Sequence, residues 1–125
     1  MYSLHDIEKK QSIRFPEKYV KLYQSNFKEI NNKFQFHIKE ENFKIMKFLT
    51  ATEINNILEE FYDFFGYDII PIAEMEYNDY LCLYYAKNRQ IPSIIYWNYE
   101  LALENSEEAI LFLYNDITEF ESQLS

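Results

Sequence analysis

One cysteine, two histidines and a turn rich in carboxylates are the residues of this 125-residue chain whose types could support chemistry. Cys82 and His37 would make a thiolate nucleophile and its base if the fold brought them together. Cys82, however, lies inside Tyr80-Leu81-Cys82-Leu83-Tyr84, a run with the character of a central strand, where a thiol is buried and inert. Glu74, Glu76 and Asp79 alternate through a turn. That pattern suits a carboxyl pair for acid–base work or a weak Ca²⁺ site, and it equally suits solvated turn acids, the expectation we adopt. His5 and His37 have no Asp, Ser or Cys beside them in a recognised nucleophile motif, and a chain with a single glycine cannot build a Gly-rich phosphate loop. One Cys and two separated His supply no metal-ligand set. The expectation is therefore no enzyme, no cofactor and no metal, and a protein that works by binding another macromolecule.

The elements that must position these residues follow from capping and periodicity. Ser3 is a candidate N-cap for a helix over residues 3–12, with Leu4, Ile7 and Lys10 on one face. Pro16-Glu17 opens a second helix with Tyr19, Val20, Leu22 and Tyr23 inward, ending near Ser25-Asn26. Phe34 to Ile38 alternates with period two, and Phe43 to Leu49 is strand-like behind the polar turn Lys39–Asn42, which predicts a hairpin. Thr50 and Glu53 form a capping-box pattern ahead of Ile54, Ile57, Leu58, Phe61, Tyr62 and Phe65 at helical spacing. Gly66 stands where that helix needs a left-handed C′ residue. Three strand-like runs, 67–73, 80–86 and 93–99, predict an antiparallel meander. A last helix is expected from Asn105 or Ser106, burying Ile110, Leu113, Ile117, Phe120 and Leu124. The order α-α-β-β-α-β-β-β-α describes one α+β domain over residues 1–125, a mainly antiparallel twisted sheet flanked by helices.

The meander carries the candidate binding residues. Tyr80, Cys82 and Tyr84 point one way, while Trp97 and Tyr99 share a face opposite Tyr96 and Asn98. If one face of the sheet is only partly covered, Tyr80, Trp97 and Tyr99 would be presented to a partner within a rim of Glu74, Glu76, Asp79 and Glu100. If helices cover both faces, these rings are core.

Charge narrows the partner. The net charge is −9, which disfavours direct binding to nucleic acid or an anionic membrane and favours a basic protein. The acidity is uneven: residues 1–50 hold ten Lys+Arg and six Asp+Glu, residues 51–125 hold two and fifteen, so the second half should attract a basic partner. A lone cysteine fits a reducing compartment. The N-terminus lacks a hydrophobic signal segment and no apolar run approaches the ~20 residues of a membrane span, so the cytoplasm is the expected location.

Several segments together resemble the SUKH superfamily, also called the Smi/Knr family. They are Ile13-Arg14-Phe15-Pro16-Glu17-Lys18-Tyr19, Leu49-Thr50-Ala51-Thr52-Glu53-Ile54, Ile70-Pro71-Ile72-Ala73-Glu74 through Asn78-Asp79-Tyr80-Leu81-Cys82-Leu83, Ile94 to Trp97, and Glu108 to Leu113. Two positions depart from the pattern: Gln11-Ser12 replaces an expected glycine, and Ser25-Asn26 lacks an Asn-Gly, so turn geometry is expected to differ there. The resemblance implies a helix-flanked sheet and, among bacterial members, immunity proteins that neutralise polymorphic toxins, often nucleases, by direct binding. Other members are regulatory adaptors for cellular enzyme complexes.

Overall fold

A computed structural model describes residues 2–125. Helix α1 (Leu4–Gln11) starts at Ser3, whose hydroxyl accepts from Asp6 N–H while the Asp6 carboxylate accepts from Ser3 N–H. This reciprocal cap satisfies two donors that a helix start leaves unpaired. Helix α2 (Glu17–Gln24) follows Pro16 and buries Tyr19 and Leu22. Strands β1 (Gln35–Ile38) and β2 (Glu41–Lys44) form a separate hairpin. The larger sheet contains β3 (Lys47–Phe48), β4 (Ile69–Glu74), β5 (Tyr80–Tyr84), β6 (Ser93–Trp97) and β7 (Ile110–Tyr114) in that spatial order, with every neighbouring pair antiparallel. Helices α3 (Ala51–Glu60), α4 (Tyr62–Phe65), α5 (Tyr99–Glu104) and α6 (Ile117–Ser122) complete the α+β domain.

Both faces of the sheet are covered. Cross-strand partners share a face, so Tyr80, Trp97, Cys82 and Ile95 lie on one side. There Trp97 packs on Phe65, Phe61 and Phe64 of the α3–α4 region, with ring centroids 4.8, 5.5 and 5.8 Å apart. On the other side Tyr96 meets Phe43 of the hairpin, Tyr114 meets Phe36 and Phe120, and the Tyr85 hydroxyl donates to Arg14 C=O at 2.8 Å. Arg89 ties the far end of the sheet to α1, pairing with Asp68 and donating to the Gln11 and Ser12 carbonyls.

The structure corrects three sequence expectations. The single C-terminal helix does not exist: Ile110–Tyr114 is a strand, Asp116 caps α6 by accepting from Glu119 N–H, and Glu107 and Glu108 lie in a turn that Asn105 initiates. Ile110, Leu113, Ile117, Phe120 and Leu124 match helical spacing only because the pattern runs through a break at Asn115-Asp116. The run Phe43–Leu49 also divides, β2 ending at Lys44 in the hairpin and β3 starting at Lys47 in the main sheet. Tyr99 belongs to α5 rather than to a strand shared with Trp97, because Asn98 caps a helix by accepting from Leu101 N–H. The observed order is therefore α-α-β-β-β-α-α-β-β-β-α-β-α.

With one glycine available, side-chain-bearing residues occupy the turns that need positive φ. Gly66 has φ +53° as expected, with ψ −134° outside the left-handed helical well. Ser12 (φ 56°) and Asn26 (φ 56°) are left-handed although the glycines of the family pattern are missing, so the chain turns there with other residues. Lys39 (φ 58°) is the first central residue of the two-residue β1–β2 loop, and Glu40 has no positive φ; that is the type II′ pattern, which favours glycine. Lys39→Gly should stabilise the fold by about 0.5–1 kcal/mol, net of the entropy glycine adds to the unfolded chain. Thermal unfolding should move up by a few degrees. An unchanged or lower midpoint would show that the turn carries no strain.

Candidate interaction surface

The register lines up Glu74, Tyr80, Trp97 and Ile110 across β4, β5, β6 and β7. On β3 the line continues to Lys47, opposite Glu74. Beyond it lie two connections, the β4–β5 turn, residues 75–79, and the β6–β7 connection, residues 98–109. With Glu74 at the margin they bring Glu76, Asp79, Glu100, Glu104, Glu107 and Glu108 to one end of the sheet, and they contain neither Lys nor Arg. Glu76, Glu100, Glu104, Glu107 and Glu108 are exposed. Among the described residues no Lys or Arg nitrogen lies within 4.0 Å of these five.

The basic half of the sequence does not neutralise this end. Lys10 pairs with Glu59 at 3.3 Å, Lys18 with Glu121 at 2.9 Å, and Lys47 with Glu53, whose carboxyl is held below its ordinary range chiefly by that lysine. Three cations of residues 1–50 thus pair with acids of α3 and α6, while Lys44 lines the groove beside Glu76 and Tyr77 and leaves the acids of the sheet end in excess.

The carboxylates at this end have different roles. Asp79 is not a solvated turn acid: it is buried, one oxygen accepting from the Tyr96 hydroxyl and the other from Tyr99 N–H at 2.8 Å. Its backbone closes the turn, with Asp79 C=O accepting from Met75 N–H at 2.9 Å. Burial, then the Asp79 carboxylate, pushes the Tyr96 phenol well above its ordinary pKa. Tyr80 is raised by burial first and by Glu74 and Glu60 after it. Glu74 is half-buried, and Glu76 and Glu100 face solvent.

The rings divide between core and rim. Trp97 is only 1% exposed, so it supports this end without reaching a partner. Tyr80 stacks on it, 6.1 Å between centroids at 27°, and Tyr99 meets it edge-on at 6.1 Å; both are half-buried. The exposed ring is one that sequence reasoning missed. Tyr77 is 81% exposed at the tip of the β4–β5 turn with φ 62° and ψ 33°, and Asn78 follows it with φ 66°. A left-handed tyrosine is uncommon and strained, and it has no sequence signature beyond the Asn-Asp that follows. Tyr77 borders a shallow groove with Glu76, Tyr96, Phe43, Glu41 and one cation, Lys44.

Cys82 and His37, the pair considered as nucleophile and base, stand in unlike settings. Cys82 is fully buried in β5 and burial pushes its thiol up, while His37 is exposed on β1. Among the described residues no group of three or more His, Cys, Asp or Glu is arranged to hold a metal ion. No helix among them is long and apolar enough to cross a membrane.

Comparison with known families places residues 3–123 within the sequence model of the SMI1 / KNR4 family (SUKH-1). Comparison with curated proteins finds no match.

Proposed function

The chain belongs to the SMI1 / KNR4 family (SUKH-1), and from that premise we propose that it is an immunity protein, neutralising a bacterial toxin by direct binding and without chemistry of its own. The observation that carries this reading is the acidic end of the sheet, where five exposed carboxylates have no ion-pair partner within 4.0 Å among the described residues, with Tyr77 at its tip. Several carboxylates on rigid connections draw in a basic surface, and an aromatic ring held at a strained backbone position supplies a fixed contact point within that field. Such a surface suits a toxin whose own site is cationic, as a nuclease site is. Glu76, Glu100 and Tyr77 make contact, Tyr80 and Tyr99 flank them, and Asp79 and Trp97 hold the surface in shape from beneath.

The test is to seek a toxin domain encoded beside this chain and to co-express the two. Growth should be restored and the two proteins should co-purify; toxicity that persists with the chain stably expressed would overturn the reading. Glu76→Lys combined with Glu107→Lys should slow association about tenfold at low salt and flatten its salt dependence. Tyr77→Ala should speed dissociation by about 30-fold, the size of a single hot spot. If all three substitutions leave the kinetics unchanged, this end of the sheet is not the docking surface.

A further inference from the structure

The two edges of the main sheet are built differently. β3 is two residues long and carries Lys47, features that blunt an edge against further pairing. β7 is Ile110-Leu111-Phe112-Leu113-Tyr114, without charge, proline or glycine. It pairs only with β6 and leaves Leu111 48% and Phe112 43% exposed. Its main chain is open as well. Ala109 C=O accepts from Asn98 N–H at 2.9 Å, and antiparallel partners alternate, so Ala109 and Leu111 face β6 while Ile110 and Phe112 turn their N–H and C=O groups outward. Outside the ladder with β6, no hydrogen bond among the described residues uses those outward groups. Beside the edge, a groove of about 620 Å³ between β7 and the β1–β2 turn is lined by Ile38, Phe43, Leu111 and Leu113.

We propose that β7 is a docking edge, where an extended segment of a partner protein adds one more strand to the sheet, apolar at its centre and basic at its flanks. Main-chain bonds to Ile110 and Phe112 would hold the segment, and alternate side chains would enter the groove beside Leu111 or lie against Phe112. Charge selects the occupant. Glu107 and Glu108 lead directly into the strand, Asp116 and Glu119 follow it, and Glu40 and Glu41 stand on the groove wall, so carboxylates outnumber the two cations at this edge, Lys39 on the same wall and Lys87, whose ammonium lies 4.8 Å from the centre of the Phe112 ring. A second copy is disfavoured, because antiparallel pairing about Phe112 would set Glu108 of each chain opposite Asp116 of the other. A segment with Lys or Arg on both sides of a short apolar run meets opposite charge at each end.

This inference rests on the reading that the chain acts by binding a protein, and it adds a second contact, along β7 from the acidic end of the sheet, and the conformation of the segment bound there. The probe is a synthetic peptide of alternating Val and Thr with two Lys at each end, compared with the same peptide ending in Glu. The lysine peptide should bind at least tenfold more tightly and should slow amide exchange at Ile110 and Phe112. Phe112→Pro removes an outward N–H while leaving the β6-facing positions 109 and 111 intact, so it should weaken binding at least tenfold; Phe112→Ala, which keeps the N–H, should weaken it less. Equal binding of the two peptides, or unprotected amides, would overturn the proposal, as would concentration-dependent dimerisation that protects the same amides. A toxin neutralised while Ile110 and Phe112 stay freely exchanging would reject the docking edge and leave the immunity reading intact. Protection by the lysine peptide with no rescue from any neighbouring toxin would do the reverse.

Discussion

Replacing Asp79 by alanine should destabilise the fold by about 3 kcal/mol, seen as a lower urea midpoint at an unchanged slope. The carboxylate is buried and accepts from the Tyr96 hydroxyl and the Tyr99 N–H. Hydrogen bonds to a charged group contribute about 1.5–3 kcal/mol each, and truncation also leaves two donors without their partner. Tyr96→Phe removes only one of those bonds and should cost about half as much. The double mutant should then lose less than the sum of the two singles, because both remove the same contact. A loss under about 1 kcal/mol for Asp79→Ala would mean that the carboxylate is solvated and the turn holds by its backbone alone.

Alkaline pH should unfold the protein steeply, starting near pH 10. Tyr19 and Tyr85 are fully buried, and burial raises both phenols far above their ordinary value. In the unfolded chain they ionise near pH 10. A group whose folded pKa is raised contributes stability that is fully present below the unfolded pKa and is lost as pH climbs toward the folded one. Each phenol therefore removes about 1.4 kcal/mol per pH unit above pH 10 and the pair about 2.7, to which Tyr96, raised by burial and by Asp79, adds. Cys82, raised by burial in the same direction, begins its contribution earlier, from about pH 8.5. The control is Tyr19→Phe. The Tyr19 hydroxyl is buried without a protein hydrogen-bond partner, so its removal should leave neutral-pH stability unchanged or raise it by about 1 kcal/mol while lowering the slope above pH 10 by about 1.4 kcal/mol per pH unit. Urea midpoints measured from pH 7 to 11.5 would show both effects; a flat profile above pH 10 would mean that these rings are not shut off from water.

Much of the frame was legible because it is encoded locally. Thr50 and Glu53 form the reciprocal cap that their spacing implies, Gly66 takes a positive φ at the end of α4, and the three central strands pair as a meander. The C-terminal third was not legible. An apolar run such as Ile110 to Tyr114 satisfies a buried strand and a helix alike, and only the cap at Asp116, hidden inside an apparently continuous period, separates β7 from α6. The acidic cluster was half visible: charge counting located it in the second half of the chain, but gathering Glu104, Glu107 and Glu108 beside Glu76 required the β6–β7 connection that the false helix had erased. Asp79 and Tyr77 show a further limit. One reads as a surface acid and is buried, and the other reads as an ordinary turn residue yet is the most exposed large ring; both outcomes depend on long-range contacts and backbone conformation rather than on neighbours in sequence.

The two bonds made by Asp79 have a kinetic consequence. They fasten the β4–β5 turn to the end of β6 and the first residue of α5, so segments some twenty residues apart in the chain form one piece before any partner arrives. Little conformational entropy remains to be lost at the moment of contact, and encounters need not wait for a loop to order. If this end of the sheet is the docking surface proposed above, it would capture its target at the rate at which charge and diffusion deliver it.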